Sequence, residues 1–155
     1  MAELRSVLEE ASFENVSTYI QSGNIIFDSG AKANTIESTI HDLIEEHFDY
    51  DVPVMVRTRS FFEQVVAKNP FPKLDTAFLC ATILATSPGK KLISEIDASA
   101  FGDDTFQVLK NVVYVHCPNG FGRTKLTNGF FEKKLKTRAT SRNWKTINKL
   151  IELSG

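Results

Sequence analysis

AFLCATILA, residues 77–85, is apolar at nearly every position, so no alternation of polar and apolar residues separates one face from the other. A run this short, rich in Leu, Ile and Ala, reads as a central strand covered on both sides, or on one side and by a neighbouring unit. The stretches around it are punctuated in keeping with that reading. Downstream, Ser87-Pro88 predicts a helix start, a cap residue before proline at the first helical position, with Leu92, Ile93 and Ile96 as the buried stripe. TFQVLK and VVYVHC then meet at Lys110-Asn111 as a hairpin. Upstream, VPVMVRT (52–58) reads as a further strand, with Pro53 confined to its first positions or to an edge.

Nearer the N-terminus, Leu4, Val7, Leu8 and Ala11 recur at i, i+3, i+4 and i+7 and predict a helix over 2–12. NVSTYIQ and NIIFD flank Ser22-Gly23, which predicts a two-residue hairpin turn because glycine tolerates positive φ. Asn34 with Glu37, ahead of Ile36, Ile40, Leu43, Ile44 and Phe48, reads as a capped second helix, and Ser60-Phe-Phe-Glu63 repeats that logic for a short third one. The order becomes α β β α β, then α, then β α β β α α. Each half holds most of a split β-α-β-β-α-β unit. The predicted fold is therefore α+β, an α/β sandwich of two ferredoxin-like units over 1–68 and 69–155 sharing one core, with largely antiparallel sheets. The first half begins on a helix, so the strand expected at the centre of its sheet is absent; the chain is truncated there, or something else fills the gap.

Composition is that of an ordinary globular chain, 42% hydrophobic and 24% charged over 155 residues, enough to bury a real core. Nothing approaches the roughly 20 apolar residues of a membrane helix, and MAELRSVLEE lacks the regions of a signal peptide, so the expected compartment is the cytoplasm. Cys80 and Cys117 lie in apolar runs without ligand spacing and read as buried, reduced thiols. His41 and His47 are six residues apart on one predicted helix and His116 is on a strand, which yields no metal cluster, and no cofactor is implied.

The net charge of -1 hides an asymmetry: Arg123 to Lys149 carries nine basic residues against Glu132 alone, about +8 on an acidic remainder. Such a block suits an anionic partner. It contains CPNGFGRTKLTNGFFEKK (117–134), where a strand, a glycine-rich turn and a helix start bring backbone N–H groups near Arg123 and Lys125. A P-loop needs G-x-x-x-x-G-K-[ST]; here the glycines are too close and Thr-Lys is in the reverse order. The plain alternative is a turn with Thr124 capping the helix. In the last helix Trp144, Ile147, Leu150 and Ile151 share one side, while Arg142, Lys145 and Lys149 fall opposite on a solvated face. Phe130, Phe131 and Trp144 read as core anchors rather than base-stacking platforms, which argues against nucleic acid without excluding it. Ser22 lies outside any nucleophile elbow, and no general acid or base is assigned.

ELRSVLEEASFENVSTYIQSGNIIFDS, DVPVMVRT, NPF and GFGRTKLTNGFFEKKLKTRATSRNWKTINKLIEL together resemble the bacterial domain-of-unknown-function family 1697. The most specific pieces are Tyr19 to Asn24 and the two tracts Gly122 to Asn128 and Arg142 to Trp144, which no periodicity explains. Members usually begin with an extra strand and glycine turn resembling Y-I-A-L-L-R-G-I-N-V-G-G; this chain departs from that pattern, which bears on any site built partly from that turn. The resemblance implies no activity. It marks Gln21, Ser22, Asn24, Gly122, Arg123, Lys125, Asn128, Arg142 and Asn143 as candidate ligand contacts. Three readings stay open: a binding module for a phosphate-bearing or other anionic small molecule, an enzyme acting on a phosphorylated metabolite, and a protein-interaction domain, for example a homodimer.

Overall fold

The computed structural model describes residues 1–20 and 23–155. The chain divides into two compact units, one of Met1–Phe61 with Leu150–Gly155 and one of Phe62–Lys149.

The first unit opens on α1 (Ala2–Glu10), whose Leu8 is fully buried. β1 (Glu14–Tyr19) and β2 (Asn24–Asp28) follow as an antiparallel pair. Tyr19 lies opposite Asn24 in this pair, and the predicted Ser22-Gly23 turn falls partly outside the described residues. Gly23 has φ +79, the left-handed region a β-carbon disfavours. At the other end of the hairpin the register shifts between Glu14 and Ser17. Asn15, at φ 52, turns its amide to donate to Asp28 Oδ2 at 2.7 Å. α2 (Ala33–Phe48) presents Ile36 and Ile40 to Leu8 and Val16, and Phe13 meets Phe27 edge to face at 5.0 Å.

Two expectations fail in this unit for related reasons. Asn34 does not cap α2: the helix begins a residue earlier, at Ala33, with Lys32 in the cap position and no side-chain cap bond. Glu37, read as the return half of a capping box, instead accepts the Val56 N–H at 2.8 Å and Arg57 Nη1 at 3.2 Å. Nor is VPVMVRT a strand. It packs Val54 and Val56 against the Leu8 cluster but joins no ladder among the described residues, and the Glu37 carboxylate takes a backbone donor that a neighbouring strand would otherwise satisfy. α3 (Arg59–Ala67) starts ahead of Ser60, with Thr58 Oγ1 accepting from Phe61 N at 3.2 Å.

The second unit is organised by β3 (Leu79–Leu84), buried at every position as AFLCATILA predicts. It is hydrogen-bonded on one side to β5 (Val112–His116) and on the other to β6 (Ala139–Asn143), antiparallel to both. β4 (Thr105–Leu109) pairs with β5 across the predicted Lys110-Asn111 turn, Lys110 at φ 54, giving the spatial order β4-β5-β3-β6. With α4 (Lys90–Ser94) after β3 and α5 (Asn128–Leu135) after β5, the element order is a complete split β-α-β-β-α-β. α6 (Trp144–Leu153) closes the chain.

β6 is the element the sequence did not announce. Ala-Thr-Ser-Arg-Asn has no apolar alternation, because it is an edge strand in which Ala139 alone is buried. Its presence moves Arg142 off the last helix and into a strand. α4 also begins later than Ser87-Pro88 predicts, at Lys90, with Gly89 in the cap position and no side-chain cap bond.

One face of this sheet, carrying Cys80, Leu84, Val113 and Val115, packs on Phe131, Leu135 and Leu126, with Phe101, Phe106 and Phe130 linked to it edge to face. On the other face Tyr114 is 2% exposed, sits beside Trp144 and donates its hydroxyl to Val65 O at 2.8 Å. Burial pushes the Tyr114 phenol up to about 12 and the Cys80 thiol, with Cys117 nearby adding a smaller push, also to about 12.

These shifts set a titration outcome. A folded-state phenol pKa raised above its unfolded value of about 10 means that the unfolded chain releases its proton first, so stability falls as pH rises from about 10 towards 12. Ultraviolet titration should show a late phenol, and Tyr114→Phe should remove it while costing about 1 kcal/mol in urea unfolding, one net hydrogen bond. A Tyr114 that titrates at the ordinary phenol value of about 10 would contradict the buried geometry.

Candidate functional site

The segment from Cys117 to Asn128 leaves β5 and enters α5 through a turn held at both ends. Gly120, at φ +90, donates its N–H to Cys117 O at 2.9 Å, which closes the turn and is the position that requires glycine. Gly122 does not: its φ is ordinary, and a β-carbon there would meet nothing within 4 Å. Further along, Thr124 Oγ1 accepts from Leu126 N at 3.1 Å, and Leu126 is buried in the core below.

Thr124 is not the helix cap. That role falls to Thr127, whose hydroxyl accepts from Phe130 N at 3.2 Å and satisfies one free donor of the first turn of α5. The segment 122–126 therefore stands ahead of the helix as a loop, displaying Arg123 and Lys125. Both are exposed, and neither forms an ion pair with any described residue. The acids nearby act on the other end: Asn119 Nδ2 donates to Asp103 Oδ2 at 3.4 Å, and Asp104 stands beside the Cys117 thiol. That thiol is pushed up chiefly by burial, then lowered by its Thr124 contact and raised by Asp104.

The remaining candidates separate. Asn128 Oδ1 accepts from Ser141 Oγ, which accepts in turn from Thr82 Oγ1 at 2.7 Å, so Asn128 anchors α5 to β6 and β3. Arg142, one residue beyond Ser141, points to the opposite face by strand alternation. Its Nη1 donates to Thr140 Oγ1 and Ser141 O, both at 2.8 Å, and burial lowers its pKa. Asn143 Oδ1 accepts from Thr146 N at 2.8 Å and caps α6. In the first unit Asn24 is 5% exposed and donates Nδ2 to Tyr19 O at 3.1 Å, closing the hairpin. Gln21 and Ser22 lie outside the described residues.

Two features escaped the sequence reading. His116 Nε2 is buried with no hydrogen-bond partner among the described residues, its ring 6.5 Å from that of Phe71 in the Asn69-Pro70-Phe71 turn. Position on a strand could not reveal an orphaned atom. On α2, His41, Asp42 and Glu45 bring their ligand atoms within 4.8 Å of one another. The His41–Glu45 spacing of four is a sequence signal for a shared helix face, one that the His41–His47 spacing of six does not give.

The class of protein that this architecture defines is a mixed α+β fold of antiparallel sheets with packed helices, and comparison with known proteins places it. Residues 1–114 match the model of a protein family of unknown function, DUF1697, and the chain belongs to that family. The match ends before the 122–144 tract. A solved structure described as the conserved bacterial protein SP0830 from Streptococcus pneumoniae is similar over 100% of this chain and 88% of its own, with a TM-score of 0.69 at 20% identity, a likeness of fold. No curated protein matches the chain.

The two glycines give a direct check on the loop. Gly120→Ala should destabilise the protein by about 1–2 kcal/mol, the cost of forcing a β-carbon into the left-handed region. Gly122→Ala should leave the urea midpoint unchanged within error. Equal effects of the two would mean that the turn is not built as described.

Proposed function

We propose that this protein is a binding module for a phosphate-bearing or other anionic small molecule, held at the loop 122–125 ahead of α5. The observation that supports this most is the pairing state of Arg123 and Lys125: two exposed cations on a loop tethered at its base, without an acidic partner among the described residues. A guanidinium offers forked donors to phosphate oxygens, and an ammonium adds a compact charge. Lys133, Lys134, Lys136 and Arg138 follow within the same basic block and raise the local potential.

The other residues first marked by resemblance have different work in this reading. Asn128, Arg142 and Asn143 are engaged in holding α5, β6 and α6, so they support the loop rather than touch the ligand. Asn24 has its own hairpin bond.

A thermal-shift screen of phosphate-bearing metabolites, followed by calorimetry of the hits, tests the proposal. A ligand at about a hundredfold over its Kd stabilises by about 2.7 kcal/mol, a shift of several degrees for a chain of this size. Arg123→Ala with Lys125→Ala should abolish the shift while leaving the unliganded melting temperature in place, and binding should weaken as salt rises. Hits that bind the double variant as well as the parent would refute the assignment, as would a full library without a shift.

A further inference from the structure

We propose that His41, Asp42 and Glu45 on α2 form a site for a first-row transition-metal dication of the zinc type, with Asp51 positioning the histidine ring. The site is separate from the anion loop and does not depend on it.

The geometry of α2 supplies the donors. Residues four apart share a helix face, which sets His41 beside Glu45, and Asp42 adds a second carboxylate. One ligand atom from each lies within 4.8 Å of the others. Ligands at about 2.0–2.2 Å from a common ion stand somewhat closer than that, a distance that side-chain rotation of the exposed carboxylates covers. The donor set is one imidazole and two carboxylates, the type that takes zinc and its neighbours; the nitrogen disfavours magnesium and calcium.

What separates this group from a chance patch of acids is how the histidine is held. The helix ends at Asp49, in the left-handed conformation, and the turn brings Asp51 back so that its Oδ1 lies 2.9 Å from His41 Nε2. A carboxylate accepting from Nε2–H fixes the proton on that nitrogen and leaves Nδ1 as the free donor atom. Nδ1 faces Asp42 Oδ1 at 3.4 Å. A neutral ring so fixed would turn a lone pair towards a carboxylate oxygen, two acceptors facing each other. A cation between them resolves the conflict, either a second proton on the imidazole or a metal ion. A carboxylate behind a metal-binding imidazole is also the arrangement that orients the ring and strengthens it as a ligand.

The surroundings favour a dication. Between positions 41 and 51 the chain carries Asp42, Glu45, Glu46, Asp49 and Asp51, with no lysine or arginine. The local potential is negative, whereas the anion loop is basic. Three protein ligands leave at least one coordination position for water.

The test uses the full chain, stripped with a chelator, titrated with zinc chloride by calorimetry at pH 7.5 and followed by imidazole nitrogen NMR. The expected result is one zinc per chain, with His41 metallated at Nδ1 and protonated at Nε2. His41→Ala should abolish binding, and Glu45→Gln should weaken it at least tenfold. Asp51→Asn, which removes no metal ligand, should weaken it about 10–100-fold. Binding should also weaken as the pH falls, because protons compete for the ring. Circular dichroism of each variant separates loss of the site from loss of fold. Absence of binding at millimolar zinc, metallation at Nε2, or affinity unchanged in His41→Ala overturns the proposal, and an unchanged Asp51→Asn removes the positioning role.

Discussion

A strand that is buried at every residue must have ladder partners on both edges and cover on both faces, and in this protein β3 imposes that requirement on everything around it. β5 and β6 meet it in the plane of the sheet. Out of the plane, α5 with its phenylalanines covers one face, and Tyr114 reaches Val65 on the other. The hydroxyl of fully buried Thr82 is the one polar side chain that β3 carries inward. It finds Ser141, and through Ser141 finds Asn128, so the same constraint fixes where α5 begins.

That chain of bonds explains why the loop ahead of α5 is free to display charge. With Thr127 capping the helix and Asn128 bound to the sheet, the helix start is settled from below. The loop backbone is tied in turn by Gly120 to Cys117 and by Thr124 to Leu126. Arg123 and Lys125 are left out of this bonding. A side chain on a scaffold that does not need it for stability is available for recognition, whereas Asn128, Arg142 and Asn143 have structural tasks that account for them.

How far the sequence could be read follows from what each element buries. β3 and the β4–β5 hairpin were legible because an uninterrupted apolar run and a two-residue turn are local signals. β6 was not, since Ala139 to Asn143 owes its strand state to pairing with β3, more than fifty residues earlier, and carries polar side chains on an edge. Capping pairs failed in the same way. Asn34 and Glu37 match a local pattern, but Glu37 gains more by taking the Val56 N–H and Arg57, partners that no local rule brings within reach. The family resemblance identified the right family, yet it could not separate Arg123 from Asn143, because a motif records neighbours in sequence and not the side of a strand or the end of a helix.

The same limit explains the two polar features that emerged only in three dimensions. His41 is meaningful as a ligand because Asp51 folds back over the end of α2, and that return depends on the left-handed turn at Asp49, a residue that tolerates positive φ without glycine. His116 shows the converse. A buried ring nitrogen without a partner costs about 1–3 kcal/mol relative to a satisfied one, and the packing of β5 between β4 and β3 is what holds it there. A half-buried histidine surrounded by acceptors and a buried one without any among the described residues are opposite departures from ordinary satisfaction. The first stands where a cation is favoured, and the second is carried by a sheet whose central strand supplies the stability to bear it.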